Sequence, residues 1–190
     1  MPKLSKNNQL RILYAGIIVL GILLDQLSKL LAVNFLTEVT TVPLLKNVLH
    51  LTYVENRGAA WGMLANHRWV FMLFSTVAIL ALGVYLFRGV SYLSDKREDG
   101  TYPPIAPLGG IALAMIVSGG IGNMIDRIML GYVVDMFDLL LFDYPIFNLA
   151  DCFVVVGTIL GSIYYLWLYE KYDAPKKESA DGTEDPAGDN

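Results

Sequence analysis

Two carboxylates in this sequence stand apart from the rest. Asp135 sits in Val133-Val134-Asp135-Met136-Phe137 and Asp151 in Asn148-Leu149-Ala150-Asp151; both have apolar neighbours, and neither has a cation within one helical turn. Asp25, by contrast, has Lys29 four residues on, and Asp126 is followed by Arg127. Two acids brought close together cannot both ionise, so one pKa rises and the pair shares a proton. That state suits peptide hydrolysis: the ionised acid takes a proton from a bound water while the protonated one supports the carbonyl oxygen. Asn123 and Asn148 are the amides available to hold the carboxylates or a substrate. The pairing of Asp135 with Asp151 rests at this point on elimination.

Other hydrolytic chemistries lack their parts. The two histidines, His50 and His67, form no metal-ligand spacing with each other or with the single Cys152, which argues against a zinc protease. Ser118 precedes Gly119, but Ile116 stands where a Gly-x-Ser-Gly motif needs glycine. Ser28 and Lys29 are adjacent, and adjacent helical residues point about 100° apart, a poor start for a Ser–Lys pair. One cysteine also excludes a disulfide within the chain.

The elements that must position these residues follow from composition. Of 190 residues, 55% are hydrophobic and only 17% charged, with a mean hydropathy of +0.49. A soluble domain carries about 25% charge, so a membrane protein is expected. Four segments have the ~20 mostly apolar residues a bilayer crossing needs: about 12–33, 69–87, 105–125 and 147–169. The fold class expected is an all-α membrane protein with four transmembrane helices and a small outward-facing β/amphipathic-helix element, in one domain over residues 1–170. The first span is read as retained, since no small-x-small cleavage site follows it. The net charge of −4 comes mostly from residues 171–190, which hold three Lys and six Asp/Glu. This stretch is expected to be a disordered acidic tail. There is no basic stripe, so nucleic acid is not expected as a partner.

Lys and Arg set the orientation. Nine of them fall in the N-terminal segment, the loop between spans two and three, and the tail; four fall in the other two connections. Both termini are therefore expected in the cytoplasm, with residues 34–68 and 126–146 facing outward. Within 34–68, Val48–Val54 reads as a strand and Gly58–Leu64 as a short amphipathic helix. Trp69, Tyr132, Tyr144, Trp167 and Tyr169 lie near span ends, as an aromatic belt would.

Ionisable groups in apolar spans cost roughly 2.5–3.5 kcal/mol each at mid-bilayer, so they have a partner or a function. Asp25 and Lys29 share a helix face, either as a mutually neutralising pair or with a direct role. Gly119, Asn123 and Asp126/Arg127 make one polar stripe at the end of span three. The stripe reads either as a tight helix contact closed by a salt-bridged turn or as part of a site. Asn148 and Asp151 share a face at the start of span four. Asn56 and Gly58 suggest an ordered turn, Asp138 and Asp143 solvated loop acids, and Gly157-x-x-x-Gly161 a helix contact.

Taken together, five ordered motifs resemble the bacterial lipoprotein signal peptidases (signal peptidase II): Asp25-x-x-Ser28-Lys29, Asn56-x-Gly58-Ala59-Ala60-Trp61-Gly62, Gly119-Gly120-x-Gly122-Asn123-x-x-Asp126-Arg127, Val134-Asp135 and Phe147-Asn148-x-Ala150-Asp151. The resemblance covers residues 25–151 and the four-span layout. It implies a membrane-embedded aspartyl endopeptidase whose catalytic pair matches Asp135 and Asp151. It also implies that Asp25, Lys29, Asn56, Gly58, Asn123, Asp126, Arg127, Asn148 and Ala150 shape the site or bind substrate, and the motif residues Ala59, Trp61, Gly119 and Gly122 are candidates with them. Trp61 stands where the family more often has Phe. The implied substrate is a prolipoprotein whose cysteine already carries a diacylglyceryl group, cut just before that cysteine in the bacterial inner membrane. No metal or organic cofactor is implied, membrane lipids are partners, and cyclic peptides of the globomycin type are inhibitors. A different reading, a small proton-coupled transporter, draws on the same intramembrane Asp25, Lys29 and Asp126 and the glycine-rich third span.

Overall fold

The computed structural model describes residues 4–39, 41–58, 68–94, 106–141 and 144–174. Four long helices and one small sheet account for nearly all of them. Helix α1 spans Lys6–Leu36, α2 Arg68–Ser94, α3 Ala106–Met129 and α4 Leu149–Ile163; α4 continues as a π-helix through Tyr164–Asp173. All four are long and apolar enough to cross a bilayer. The first two run beyond the expected spans at both ends and α3 beyond its C-terminal end, where residues outside the apolar core are still hydrogen-bonded as helix. The fourth runs three residues into the stretch read as tail, and there Tyr164 Oη donates to the buried Asp173 Oδ2 at 2.8 Å.

Helix α3 is central and touches the other three. Small residues explain this. A Cβ built on Gly157 of α4 would come within 2.7 Å of the Ala112 carbonyl of α3, so the Gly157 contact expected from sequence is a real backbone approach. At the start of α3, Gly109 and Gly110 leave room for the rings of Tyr164 and Tyr14. Leu10, Tyr14, Leu86 and Ala114 form a buried cluster from three helices. Much of α1, α2 and α4 presents large apolar side chains outward, among them Leu23, Phe74, Leu80 and Ile159. In water this would be a defect; on a membrane-spanning helix it is the lipid-facing surface.

The sheet has the order β1-β2-β3, antiparallel throughout, from Val42–Leu45, Leu49–Asn56 and Val133–Leu139. The expected strand over Val48–Val54 is present as β2. Strands β1 and β3 are additional, and Asp135 therefore lies in a strand and not in a loop. Asn47, at φ 61°, makes the β1–β2 turn, a conformation asparagine tolerates better than most residues. Gly131, at φ 83°, reverses the chain from α3 into β3. Ala32 and Leu36 of α1 pack against Val134 and Met136 of β3, which fixes the sheet on the end of the bundle. The short helix expected over Gly58–Leu64 lies, beyond Gly58, outside the described residues, as do Ala59, Trp61, Asp143 and the chain after 174.

Candidate active site

The site forms where the C-terminal end of α3 meets β3 and the start of α4. Asp126 makes the first connection. Its Oδ2 accepts from the Val134 backbone N–H at 3.1 Å, so the α3 end holds β3 one residue before Asp135. Its partner cation is Lys29, at 3.0 Å, and not the adjacent Arg127. The sequence reading of a salt-bridged Asp126–Arg127 turn is thus corrected: neighbours on a helix diverge by about 100°, and Arg127 instead donates to the Asn123 carbonyl at 3.2 Å and acts electrostatically on Asp151, Asp135 and Asp126.

Asp25 makes the second connection. Its Oδ1 accepts from the Ala150 N–H at 2.9 Å, satisfying an orphan donor in the first turn of α4 from a different helix. Its Oδ2 pairs with Lys29 at 2.9 Å. Ser28 Oγ donates to the Asp25 carbonyl at 2.7 Å while Lys29 Nζ faces Asp25, Asp126 and Asn123, so the two form no Ser–Lys pair. The glycines of α3 permit these approaches: a Cβ on Gly122 would press on the Asp25 carboxylate, and one on Gly119 would collide with the Ala150 carbonyl. Ala150 itself is fully buried between them.

Asn148 joins the two carboxylates. It is the N-cap of α4 in a capping box: its Oδ1 accepts from Asp151 N at 3.0 Å, and Asp151 Oδ2 accepts from Asn148 N at 3.2 Å. Its Nδ2 donates to Asp135 Oδ1 at 2.7 Å and lies 3.0 Å from Asn123 Oδ1. Asn123 Nδ2 in turn donates to Asp151 Oδ1 at 2.7 Å. Asn56, at the end of β2, donates to Asp135 Oδ2 at 2.9 Å while its Oδ1 accepts from Gly58 N at 3.1 Å, the ordered turn expected there. Each aspartate therefore keeps two polar contacts from fixed amides. Asp138, expected as a solvated loop acid, lies in β3 and accepts from Thr52 at 3.2 Å.

Asp135 and Asp151 line one cavity of about 620 Å³, together with Asn56, Asn123 and Arg127. Away from this polar end the walls are apolar: Ile79 and Leu82 of α2, Ile116 of α3 and Val154 of α4, with Tyr144 and Phe147 at the rim. Burial pushes the Asp135 carboxyl up to about 6, and the Asp151 charge adds to the rise; the donors Asn56 and Asn148 and the Lys29 charge oppose it. A raised carboxyl beside a second one is an arrangement able to hold a single proton between two acids.

All the sequence-derived candidates in the described residues converge here. Gln26 was missed. Its Nε2 lies within hydrogen-bond reach of Asp126 Oδ1 (2.9 Å), Asp25 Oδ2 and the Gly122 carbonyl (both 3.2 Å). Lying in one short polar run with Asp25, Ser28 and Lys29, it carried a usable signal. Tyr144, read only as an aromatic-belt residue, lines the cavity. The apolar wall residues have no signal at all, being ordinary span residues.

Comparison with known proteins follows the same lines. Residues 17–167 match the family described as Signal peptidase (SPase) II. A lipoprotein signal peptidase from Clostridioides difficile (strain 630) is 46% identical over 159 residues, covering 84% of this chain and 98% of its own. One from Clostridium acetobutylicum is 38% identical over 160 residues, covering 83% and 96%. Among solved structures, a bacterial membrane enzyme determined by the in meso method is 27% identical with a TM-score of 0.69, covering 86% of this chain and 94% of that one. These likenesses give the transporter reading no support. A four-helix, multi-pass membrane protein with a buried aspartate-lined cavity, matched over most of its length, this chain belongs to the signal peptidase II family.

Proposed function

We propose that this chain is an aspartic endopeptidase that cleaves the signal peptides of lipoproteins, with Asp135 and Asp151 as its catalytic pair. The observation that carries the assignment is Asn148, whose side-chain amide donates to the Asp135 carboxylate and whose backbone N–H donates to the Asp151 carboxylate, beside a single cavity that both acids line. The activity is that of the curated relatives, which are lipoprotein signal peptidases.

Water bound between the carboxylates is the nucleophile. The ionised aspartate removes its proton as the oxygen attacks the scissile carbonyl, and the protonated one donates to the carbonyl oxygen as negative charge develops there. The tetrahedral intermediate then collapses, with the acquired proton passing to the leaving amine. Burial, which holds the Asp135 carboxyl high, favours Asp135 as the proton holder in the resting pair. Arg127 and Lys29 limit the negative charge that accumulates around the site.

The substrate proposed is a prolipoprotein with a diacylglyceryl-modified cysteine, cut just before that residue. The apolar walls of the cavity suit an acyl chain, at about 0.8 kcal/mol per buried CH₂, and the polar end suits the peptide bond. Cyclic peptides of the globomycin type would compete for this cavity. The chain resides in the bacterial cytoplasmic membrane, with both termini inside and the sheet and the site at the outer face, in line with the Lys/Arg bias.

The test is substitution. Purified Asp135→Asn and Asp151→Asn variants are expected to lose at least ~10³-fold in cleavage of a lipidated prolipoprotein while remaining folded in detergent. Full cleavage by either variant refutes the pair. Equal cleavage of lipidated and unlipidated substrate refutes the acyl assignment.

A further inference from the structure

The mechanism above gives Lys29 of α1 only a background charge, yet it lies at the end of the hydrogen-bond chain that reaches both aspartates. Lys29 is buried, and its Nζ has three acceptors: Asp25 Oδ2 at 2.9 Å, Asp126 Oδ2 at 3.0 Å and Asn123 Oδ1 at 2.9 Å. An ammonium has three N–H groups and no lone pair, so this donor set is complete and one-directional. Two of the acceptors are charged and would be enough to hold the ion. The third is a neutral amide oxygen, and its amide has another side.

An asparagine facing a lysine can present only its oxygen. Asn123 must then turn its nitrogen the other way, and that nitrogen donates to Asp151 Oδ1 at 2.7 Å. The same Asn123 oxygen receives Asn148 Nδ2 at 3.0 Å, and Asn148 Nδ2 also donates to Asp135 at 2.7 Å. If Asn123 were reversed, its oxygen would face the Asp151 carboxylate and its nitrogen would face the Lys29 ammonium and the Asn148 amide nitrogen. Every contact in the chain would become repulsive. Lys29 is the one charged donor among the groups that hold the Asn123 oxygen; without it the sense of the amide rests on Asp151 and Asn148 alone.

Resting on the reading of Asp135 and Asp151 as the catalytic pair, we infer that Lys29 is a positioning residue, which fixes the sense of the Asn123 amide and through it supplies donors to both carboxylates. Its contacts with Asp25 and Asp126 hold the ion in place; its contact with Asn123 acts on the reaction. A purely structural ion would neutralise the two acids and have no effect on turnover per folded molecule.

A double-mutant cycle in kcat separates the two. Lys29→Met and Asn123→Ala are each expected to lower kcat by about 10–100-fold, the range for losing a charge-assisted hydrogen bond near the reacting groups. The double variant is expected to be no slower than Asn123→Ala alone. Losses that multiply overturn the inference. Lys29→Gln and Lys29→Arg sharpen the test. Arginine, again donor-only, is expected to recover part of the lost kcat. Glutamine can offer its own oxygen to Asn123 and is expected to stay slow; full kcat in Lys29→Gln overturns the inference. The pH profile of kcat is expected to move in Lys29→Met. The charged groups around the pair are Asp25 and Lys29 on α1, Asp126 and Arg127 on α3, and the pair itself on β3 and α4, and of these only Lys29 is removed. An unmoved profile counts against the inference. If Lys29→Met does not accumulate, Lys29→Met with Asp25→Asn and Asp126→Asn, which neutralises the acids left behind, enters the same cycle. Asp135→Asn and Asp151→Asn run alongside: cleavage in those variants overturns the catalytic pair itself, while their inactivity together with multiplying losses overturns only the role of Lys29.

Discussion

Helix α3 meets its neighbours in the same way at both ends and to opposite effect. At its start, Gly109 and Gly110 admit two tyrosine rings, Tyr164 and Tyr14, from α4's continuation and α1. At its other end, Gly119 and Gly122 admit the Ala150 carbonyl and the Asp25 carboxylate, from α4 and α1 again. The tyrosine end is a packing contact. It even leaves the Tyr14 hydroxyl without a hydrogen-bond partner among the described residues, a cost that tight aromatic packing offsets. At the sheet end no buried polar side-chain atom among the described residues lacks a partner, although four acids and two cations are crowded there. The contrast teaches that glycine in a membrane helix specifies closeness only; what arrives in the space decides whether the contact is structural or chemical.

The strongest way to break this comparison is Gly119→Val. Its Cβ would strike a backbone carbonyl that cannot rotate away, displacing the first turn of α4 and Asp151 with it. Loss of cleavage is expected together with a stability loss of several kcal/mol, at the upper end for overpacking. Retained cleavage and an unchanged melting temperature would mean that the close approach does not position the site.

A smaller effect distinguishes the two ends by titration. Asp135 has a folded-state pKa raised to about 6 by burial, above its ordinary value. The stability it contributes is complete below about pH 4, its unfolded value, and is lost as pH rises through 6. Melting in detergent should therefore show a decline on the order of 3 kcal/mol between pH 4 and pH 8, which Asp135→Asn flattens. An identical slope in the variant would show that the carboxyl is solvated.

The smallest effect is expected at the tyrosine end. Tyr164→Phe removes the hydrogen bond to Asp173 and should lower stability by about 1–2 kcal/mol, with cleavage per folded molecule unchanged. A drop in cleavage larger than the drop in folded fraction would show that this end communicates with the site.

The polar half of this picture was legible in the sequence because charge in an apolar span is expensive. Asp25, Lys29, Asp126 and Asp151 stood out for that reason, Asn123 and Asn148 by sharing a helix face with charged residues, and all lie in one network. The partner of Asp126 was not legible: adjacency in sequence favoured Arg127, whereas the helix geometry turned Asp126 towards a lysine 97 positions earlier. Strand β3 was hidden because Val133, Val134 and Met136 are buried on both faces, so the alternation that marks a half-exposed strand is missing. β1 is short and holds a proline. The cavity walls escaped because nothing distinguishes an isoleucine facing substrate from one facing lipid.

Asn148 has one more consequence. The residue that starts the last helix is also the one that brings the two acids into register. During synthesis the chain emerges with three crossings and Asp135 already made, yet it holds no cutting machinery until the fourth crossing nucleates. Under the proposed pairing, a chain that ends before residue 148 lacks both the amide that joins the two acids and Asp151 itself, and is expected to be an inert membrane protein.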